Sequence, residues 1–323
     1  MKETDSGARR GECDSKKGGS YLRQRKLKRY EFVEKEKANH SVKVLCRVMK
    51  VSSSAYYAYA RGASYRETSR RKICREQVRE CFYENRRRYG SRRIAKQLGI
   101  GRFKVRSAMK RENLKAIAPK RFKPQTTDSN HDSRISPNLL QNGMNAPIGK
   151  GEVIVGDITY LPLKGGKFCY LACYQDKFTR RIVGWQISER MTTGLVMDAL
   201  GQALKKKLIK RQAIIHTDRG SQYAATEYRR LLYIRGYRQS MSRKGNCYDN
   251  AQAESFFSRF KAELLENGIF ETVEDARSEV FSYIEGYYNR IRLHSGIGYR
   301  SPVEYEKHLE NKIRSNEESL VCG

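Results

Sequence analysis

Two acidic residues, Asp157 and Asp218, lie in or directly after apolar runs of the sequence, where a carboxylate is unusual. Asp157 lies within the run Val153–Leu161, which is apolar on both faces like a central strand. A lone carboxylate there is costly unless it is paired or binds a metal ion. Asp218 follows the β-favouring run 213–217, so we expect it at the carboxyl end of a buried strand, a common position for chemistry in α/β sheets.

A third acid, Glu254, lies in a predicted amphipathic helix. Apolar residues follow it at helical spacing, and Asp249 with Gln252 three residues later resembles a capping box at the helix start. Lys261 follows Glu254 by seven residues, which places the two side chains about 20° apart around the helix. A carboxylate and an ammonium group at this spacing can both address one anionic substrate.

Carboxylates on separate elements suit hard divalent cations. Phosphodiester cleavage needs a nucleophilic oxygen in line with a leaving oxygen, and two ions about 4 Å apart can stabilise both. Since Mg²⁺ prefers carboxylate ligands, Asp157, Asp218 and Glu254 are candidate catalytic residues and metal ligands, with Asp157 bridging two ions. Mn²⁺ is expected to substitute for Mg²⁺. Taken alone, Asp218 also fits a turn and Glu254 a solvated helix face.

Four blocks in order resemble the transposases of bacterial insertion sequences with a retroviral-integrase-like core, of the second-reading-frame type. Between Asp218 and Glu254 lie 35 residues, as in the D,D-35-E pattern of this family. The chain departs from the family at Ile154, where Trp is usual. The four blocks are Asp157 to Tyr160, His216 to Tyr223, Tyr248 to Glu254, and Tyr288 to Pro302.

The resemblance implies a ribonuclease-H-like α/β core with a mixed sheet, preceded by an all-α helix-turn-helix region. It implies metal-dependent cleavage of DNA at transposon ends, followed by attack of the liberated 3′-hydroxyl on target DNA. Duplex DNA, as terminal repeats and as target, is the expected partner. Homo-oligomers on DNA and a companion first-reading-frame product are also expected. Two other functions stay open: a DNA-binding regulator with an inactive core, and a metal nuclease without strand transfer.

Three further residues are expected to assist the acids. Lys261 is placed near the scissile phosphate, although a solvated helix face explains a lysine there as well. His216 and Arg219 are expected to support the site without binding metal. For His216, a purely structural role is the alternative.

The net charge predicts a polyanionic partner. Lys and Arg number 66 against 35 Asp and Glu, a net charge of +31, and nucleic acid is favoured because binding it releases condensed counterions. Residues 1–120 carry 35 basic and 12 acidic residues, so +23 of the net charge lies in the first third. A membrane is the rival polyanion, but no lipidation signal or long apolar segment supports it. DNA should therefore be bound mainly by the N-terminal third.

Nothing in the sequence predicts export. The N-terminus is charged and lacks the apolar run of a signal peptide. The eight cysteines form no CxxC pair and no zinc-finger spacing with His, so we expect them to be reduced. The protein is expected in the cytoplasm, associated with the nucleoid when bound to DNA.

Two predicted helix-turn-helix segments lie in the basic third. The first covers Ser41–Tyr59, and the second joins a helix over Ser91–Leu98 to one over Phe103–Asn113 through a Gly-rich turn. The second segment displays basic side chains, for which a solvated face is the alternative to DNA contact. The residues expected to contact DNA are Arg92, Arg93, Arg102, Lys104 and Arg106.

Periodicity predicts the order of the elements in the catalytic core and after it. Three strands, a helix, a strand, a helix, a short strand and the Glu254 helix are expected in the catalytic core. A last helix begins at Thr272, and its tail is expected to expose Arg290, Arg292 and His294 near DNA. The chain as a whole is predicted to have five parts: a basic disordered leader (1–29), the helical DNA-binding region (30–118), a linker (119–150), the core with its C-terminal helix (151–310) and a tail (311–323).

Overall fold

The computed structural model describes residues 25–63, 68–119, 134–243, 251–265 and 268–321. Contacts divide the chain into two compact units, Met1–Glu76 and Gln77–Gly323. Most of the predicted leader, nearly all of the first half of the predicted linker and the predicted cap residue Asp249 lie outside the described residues. The assignment of separate DNA-binding and catalytic domains stays a prediction.

Three short helices pack together in the first unit. Their shared core includes Val33, Met49 and Tyr56, and the Tyr56 hydroxyl donates a hydrogen bond to Glu34 Oε2 at 2.6 Å. The second and third helices are the pair predicted for the first helix-turn-helix. The first helix begins inside the segment predicted as a disordered leader. The helices are α1 (Lys26–Glu36), α2 (Val42–Val48) and α3 (Ser53–Ala60).

Three more helices precede the sheet: α4 (Ser69–Glu84), α5 (Ser91–Leu98) and α6 (Arg102–Arg111). Helix α5 ends at Gly99, whose φ of +63° is a left-handed cap that favours glycine. The turn that follows is short, so α5 and α6 form the second predicted helix-turn-helix. Their buried residues are Ile94 on α5, and Val105 and Ala108 on α6.

Five strands form one mixed sheet in the order β3-β2-β1-β4-β5. The first three strands are an antiparallel meander, and β4 and β5 continue the sheet parallel to β1. A parallel neighbour requires a crossover, which helix α7 (Thr193–Lys205) supplies. The predicted ribonuclease-H-like order of elements is confirmed. The strands are β1 (Val153–Pro162), β2 (Phe168–Asp176), β3 (Ile182–Ser188), β4 (Ile214–Thr217) and β5 (Arg238–Met241).

Helices cover both faces of the sheet, which is why its central strands are apolar on both sides. Helix α7 packs closely on β3 because Gly184 has no side chain: a Cβ there would lie 2.1 Å from Ala199 O. One face carries α7, α8 (Ser221–Ala224) and α9 (Thr226–Ile234). The other carries α10 (Ala251–Leu265), α11 (Val273–Phe281) and a π-helix (Ser282–Tyr288).

The last helix, α12 (Pro302–Val321), extends through most of the segment that was predicted as a tail. Within the described ranges, no helix is both long and apolar enough to cross a membrane. The five cysteines of those ranges, Cys46, Cys74, Cys81, Cys169 and Cys173, are free thiols.

Candidate active site

Asp157 lies in the middle of β1, on the face of the sheet that α10 covers. Its cross-strand neighbour is Cys173, which belongs to the apolar cluster beneath α10, and directly opposed residues share a face. One carboxylate oxygen accepts a hydrogen bond from the Ile158 amide at 2.9 Å. The Asp157 residue is partly exposed to solvent. A central strand therefore presents a carboxylate beside an apolar core.

Asp218 follows β4 and lies beside Asp157. Val155 pairs with His216 in the parallel register of β1 and β4, and two further steps along each strand lead to Asp157 and Asp218. The Asp218 carboxylate accepts a hydrogen bond from the Gly220 amide at 3.0 Å, which fixes the turn after the strand. Two acids predicted from separate strands thus meet on one face of the sheet.

The electrostatics of Asp157 reflect this proximity. Burial raises the pKa of Asp157 well above its ordinary value, and the negative charges of Asp218 and Glu254 raise it further. A hydrogen bond from Ile158 and the positive charge of Lys261 oppose the shift. Negative charge is therefore concentrated around Asp157 beyond what the nearby cation balances, as in a site that receives a cation.

Glu254 approaches the two aspartates from helix α10. It lies in the first turn of the helix and is exposed to solvent, yet partial burial still raises its pKa. In the described residues, no three His, Cys, Asp or Glu side chains are close enough together to hold a metal ion as they stand. The charge of Glu254 nevertheless raises the pKa of Asp157, though less than the charge of Asp218 does.

Lys261 lies on the same helix, near the acids. Its Nζ lies 4.0 Å from the centroid of the Tyr160 ring, a cation–π contact. Burial lowers the pKa of Lys261, and the charge of Asp157 opposes that shift. Lys261 is half-buried, so the solvated-face alternative does not describe its surroundings. Its proposed contact with DNA stays a prediction.

His216 and Arg219 hold the segment that carries Asp218. The buried His216 ring bonds through Nδ1 to the Ser240 hydroxyl on β5 at 2.8 Å. Arg219 donates from Nε to Ser242 O at 2.8 Å. Both contacts join the end of β4 to the end of β5. The bond that His216 makes is of the kind expected for a purely structural histidine, the alternative given above.

Sequence reasoning missed a pair of amides that fixes the start of α10. Gln252 donates from its side chain to Gln175 Oε1 at 3.0 Å, and Gln175 donates to the Tyr288 hydroxyl at 2.7 Å. These bonds join the first turn of the Glu254 helix to the end of β2 and to the π-helix. The available signal was the polar residue Gln175 at the end of the otherwise apolar run 168–175.

The second helix-turn-helix presents most of its predicted basic residues to solvent. Arg92, Lys96 and Arg102 line a shallow pocket together with Ala95 and Tyr299. Lys104 and Arg106 are also exposed.

Arg93 differs from these residues. Its Nε donates to the backbone carbonyl of Leu293 at 2.8 Å, and only 20% of its side chain is exposed. Arg93 is therefore not among the residues that we propose to contact DNA, because its guanidinium group is bonded within the protein.

Of the three residues expected at the tail of the last helix, Arg290 is exposed, Arg292 is buried and His294 is partly buried. Arg292 is 3% exposed and forms an ion pair with Glu263 at 2.6 Å. For His294, burial first and then the charges of nearby arginines lower the pKa to about 2. The expectation that Arg292 is exposed is wrong, because its side chain packs inside the second unit. His294 keeps partial exposure, and its proximity to DNA stays a prediction.

Comparison with known families agrees with this architecture. Two models, each described as an integrase core domain, match residues 149–247 and 235–302. The first match contains β1 to β5, and the second contains α10. Both proposed aspartates and Glu254 fall within the matched residues.

Curated relatives match over most of the chain. Transposase InsF for insertion sequence IS3A of Escherichia coli (strain K12) is 38% identical over 86% of this chain and 98% of its own length. A transposase for insertion sequence element IS904 of Lactococcus lactis subsp. lactis (strain IL1403) is 41% identical over 74% of this chain and 95% of its own length.

Solved structures give weaker likenesses. The HTLV-2 integrase catalytic core domain in complex with magnesium has a TM-score of 0.38 and 12% identity, over 49% of this chain and 97% of that one. A chain of the simian T-cell lymphotropic virus intasome in complex with PP2A regulatory subunit B56 gamma has a TM-score of 0.41 and 14% identity, over 71% of this chain and 73% of that one. The strand order and the relatives at 38% identity over most of the chain show that this protein belongs to the IS3-type insertion-sequence transposases with an integrase core, and that it is a DNA transposase, a polynucleotidyl transferase.

Proposed function

We propose that Asp157, Asp218 and Glu254 are the catalytic carboxylates of this transposase and the ligands of its divalent metal ions. The observation that carries the proposal is the parallel pairing of β1 with β4, which brings Asp157 and Asp218 side by side under helix α10, the helix of Glu254. Burial and the charges of Asp218 and Glu254 raise the pKa of Asp157, which supports it. Carboxylates that lie close together repel one another and reduce stability. Their clustering therefore indicates a functional site. The reaction is cleavage at element ends by water and joining of the liberated 3′-hydroxyl to target DNA.

The acids fit hard divalent cations by their chemistry. All three offer carboxylate oxygens, the ligands that Mg²⁺ prefers, and Lys261 is the nearby cation that partly offsets their charge. Glu254 would have to approach the aspartates, and its exposed side chain has the freedom to do so. When bound, two Mg²⁺ or Mn²⁺ ions would stabilise the attacking and leaving oxygens of the phosphodiester.

The other residues of the site would place the DNA. Lys261 is proposed to contact the phosphate next to the scissile bond, where its half-buried ammonium group is less screened than a surface lysine. The Tyr160 ring supports that ammonium group from below. His216 and Arg219 keep the Asp218 turn on β5 and so fix where its carboxylate points.

The exposed residues Arg92, Arg102, Lys104 and Arg106 are proposed to bind DNA phosphates. Terminal repeats and target DNA are the proposed ligands, in keeping with the +23 net charge of residues 1–120. The protein is proposed to act as a homo-oligomer on DNA, with a companion first-reading-frame product, in the cytoplasm at the nucleoid.

The deciding experiment is a joining assay on labelled duplexes that carry the terminal sequences of the element. With Mg²⁺ and the companion product, the parent should cleave the end and join its 3′-hydroxyl to a target duplex. Asp157→Asn, Asp218→Asn and Glu254→Gln should each lose both steps and keep DNA binding. Cleavage without joining would indicate a nuclease, and DNA binding without cleavage a regulator. Full joining by any of the three variants would exclude that residue from the site.

A further inference from the structure

Two neighbouring arginines on α5 have different surroundings. Arg92 is exposed, whereas Arg93 donates hydrogen bonds to Leu293 O at 2.8 Å and to Arg88 O at 3.4 Å. The Arg93 guanidinium also lies 3.9 Å from Glu263 Oε1. The sequence presents both arginines as part of one basic segment, but Arg93 belongs to the interior of the second unit.

The acidic partner of Arg93 is half of a buried ion pair. Arg292 donates to Glu263 through Nε at 2.9 Å and through a terminal nitrogen at 2.6 Å. The Tyr283 hydroxyl donates to the same carboxylate at 2.8 Å. The Arg292 and Glu263 side chains are only 4% and 2% exposed. Because removing one partner would leave a buried charge uncompensated, the pair firmly fixes the two segments that carry it.

The residues just before α5 bind the same two segments. Arg88 donates from Nε to Glu263 O at 3.3 Å. The Tyr89 hydroxyl donates to Ile291 O at 3.2 Å and accepts from the Leu293 amide at 2.9 Å. The start of the helix-turn-helix is thus joined both to helix α10 and to the segment after the π-helix.

These contacts reach α10 close to the proposed active site. Glu263 lies two residues after Lys261 and nine after Glu254 on that helix, which is about 3 Å and about 14 Å along the axis. A continuous hydrogen-bonded helix moves as a unit over this distance. A displacement at Glu263 would therefore displace both Lys261 and Glu254.

We infer that Arg93 is a positioning residue: through Leu293 and Glu263 it holds the helix-turn-helix of α5 and α6 in register with Lys261 and Glu254. DNA bound on the exposed face of α5 and α6 is thereby presented to the acids at one nucleotide position. The inference rests on the proposed function, because it concerns where DNA meets that same site. Arg93 should therefore determine which nucleotide reacts and should not affect the affinity for DNA.

The test compares Arg93→Gln with its neighbour Arg92→Ala and with Lys205→Ala, an exposed residue on α7. Three quantities are measured on the full chain: the dissociation constant for an end duplex, the cut position in Mg²⁺, and the nucleotide reached without metal by a photocrosslinker on a Lys261→Cys background. The third readout does not depend on catalysis. Thermal unfolding of each variant shows that the assays are made on folded protein.

Arg93→Gln should bind DNA like the parent, but cut and cross-link at several neighbouring nucleotides. Its joining at saturating DNA should fall about 10²-fold, the usual effect of a misplacement near 1 Å. Arg92→Ala should instead weaken binding about tenfold at moderate salt, with cut and cross-link at the parental nucleotide. Lys205→Ala should match the parent in all three measurements.

The inference is overturned if Arg93→Gln is merely less stable, with the parental cross-link and cut position. It is also overturned if this variant loses DNA affinity as Arg92→Ala does, since Arg93 would then contact DNA. Should Arg93→Gln fail to fold, Arg93→Lys, which keeps the charge but not the fork geometry, is subject to the same criteria. If the parent neither cleaves nor joins, the proposed function fails, and the cross-link positions still decide the role of Arg93.

Discussion

The ammonium group of Lys261 lies over the ring of Tyr160, with Nζ 4.0 Å from the ring centroid. Tyr160 is three residues after Asp157 on β1, and Lys261 is seven residues after Glu254 on α10. The contact therefore joins the strand and the helix that carry two of the proposed catalytic acids. It also keeps a positive charge beside them at a place where burial alone disfavours it.

Loss of this ammonium group should impair the reaction more than DNA binding. Lys261→Ala should lower joining at saturating DNA about 10²-fold, because a fixed cation at the reacting phosphate is lost, and Lys261→Arg should be partly tolerated. The matched control is Arg259→Ala, an exposed residue of the same helix, which should leave joining unchanged. Joining rates and dissociation constants are measured side by side. Parental joining by Lys261→Ala would place this lysine outside the reaction.

The charge on Asp157 should cost stability when no metal is present. Because burial and the charge of Asp218 raise the pKa of this carboxyl, the fold disfavours its ionised form. Asp157→Asn should therefore raise the Tm in the presence of a chelator. Saturating Mg²⁺ should stabilise the parent, by about 2.7 kcal/mol at a hundred times the Kd, and should leave the variant unchanged. Asp198→Asn, at an exposed position on α7, should behave like the parent in both conditions.

The pocket lined by Arg92, Lys96 and Arg102 should contribute phosphate contacts to DNA binding. Lys96→Ala should reduce the slope of log K against log salt concentration by about 0.9, the value for one phosphate contact on duplex DNA. Lys205→Ala serves as the control, because it removes the same charge from an exposed position on α7. Titrations of a labelled duplex at several salt concentrations give both slopes. Equal slopes for the two variants would remove Lys96 from the DNA interface.

His294 should make folding stability depend on pH. Its pKa of about 2 in the folded protein lies below the ordinary 6.5, so below pH 6.5 the unfolded chain takes up a proton that the folded protein refuses. The stability that neutral His294 contributes is complete above pH 6.5 and is lost as the pH falls toward the folded pKa, about 1.4 kcal/mol by pH 5.5.

Chemical denaturation at pH 7.5 and pH 5.5 measures this loss. His294→Asn should lose less stability over this interval than the parent, because it lacks the titrating ring. His308→Asn, an exposed histidine on α12, should lose as much as the parent. An identical loss in His294→Asn and the parent would show that other groups cause the pH dependence.

The sequence by itself determined the order of the elements and singled out three acids as candidates for the site. An apolar run with Asp157 inside it, a short strand ending at Asp218 and a helical repeat after Glu254 are local patterns. Strand and helix periods follow from residues a few positions apart. The family resemblance then gave the spacing of the acids a meaning. The strand order of the structure brings Asp157 and Asp218 to one face of the sheet, an arrangement in keeping with the site that the sequence proposed.

Only the tertiary structure decided which basic residues are available to DNA. Arg92 and Arg93 are equivalent in composition and local charge, yet Arg93 donates to Leu293, 200 residues away in the chain. Arg292 was expected at the surface, but Glu263 neutralises it in the interior. Helical periodicity identifies the face of a helix on which a side chain lies. It does not identify what packs against that face, because that depends on contacts between segments far apart in sequence.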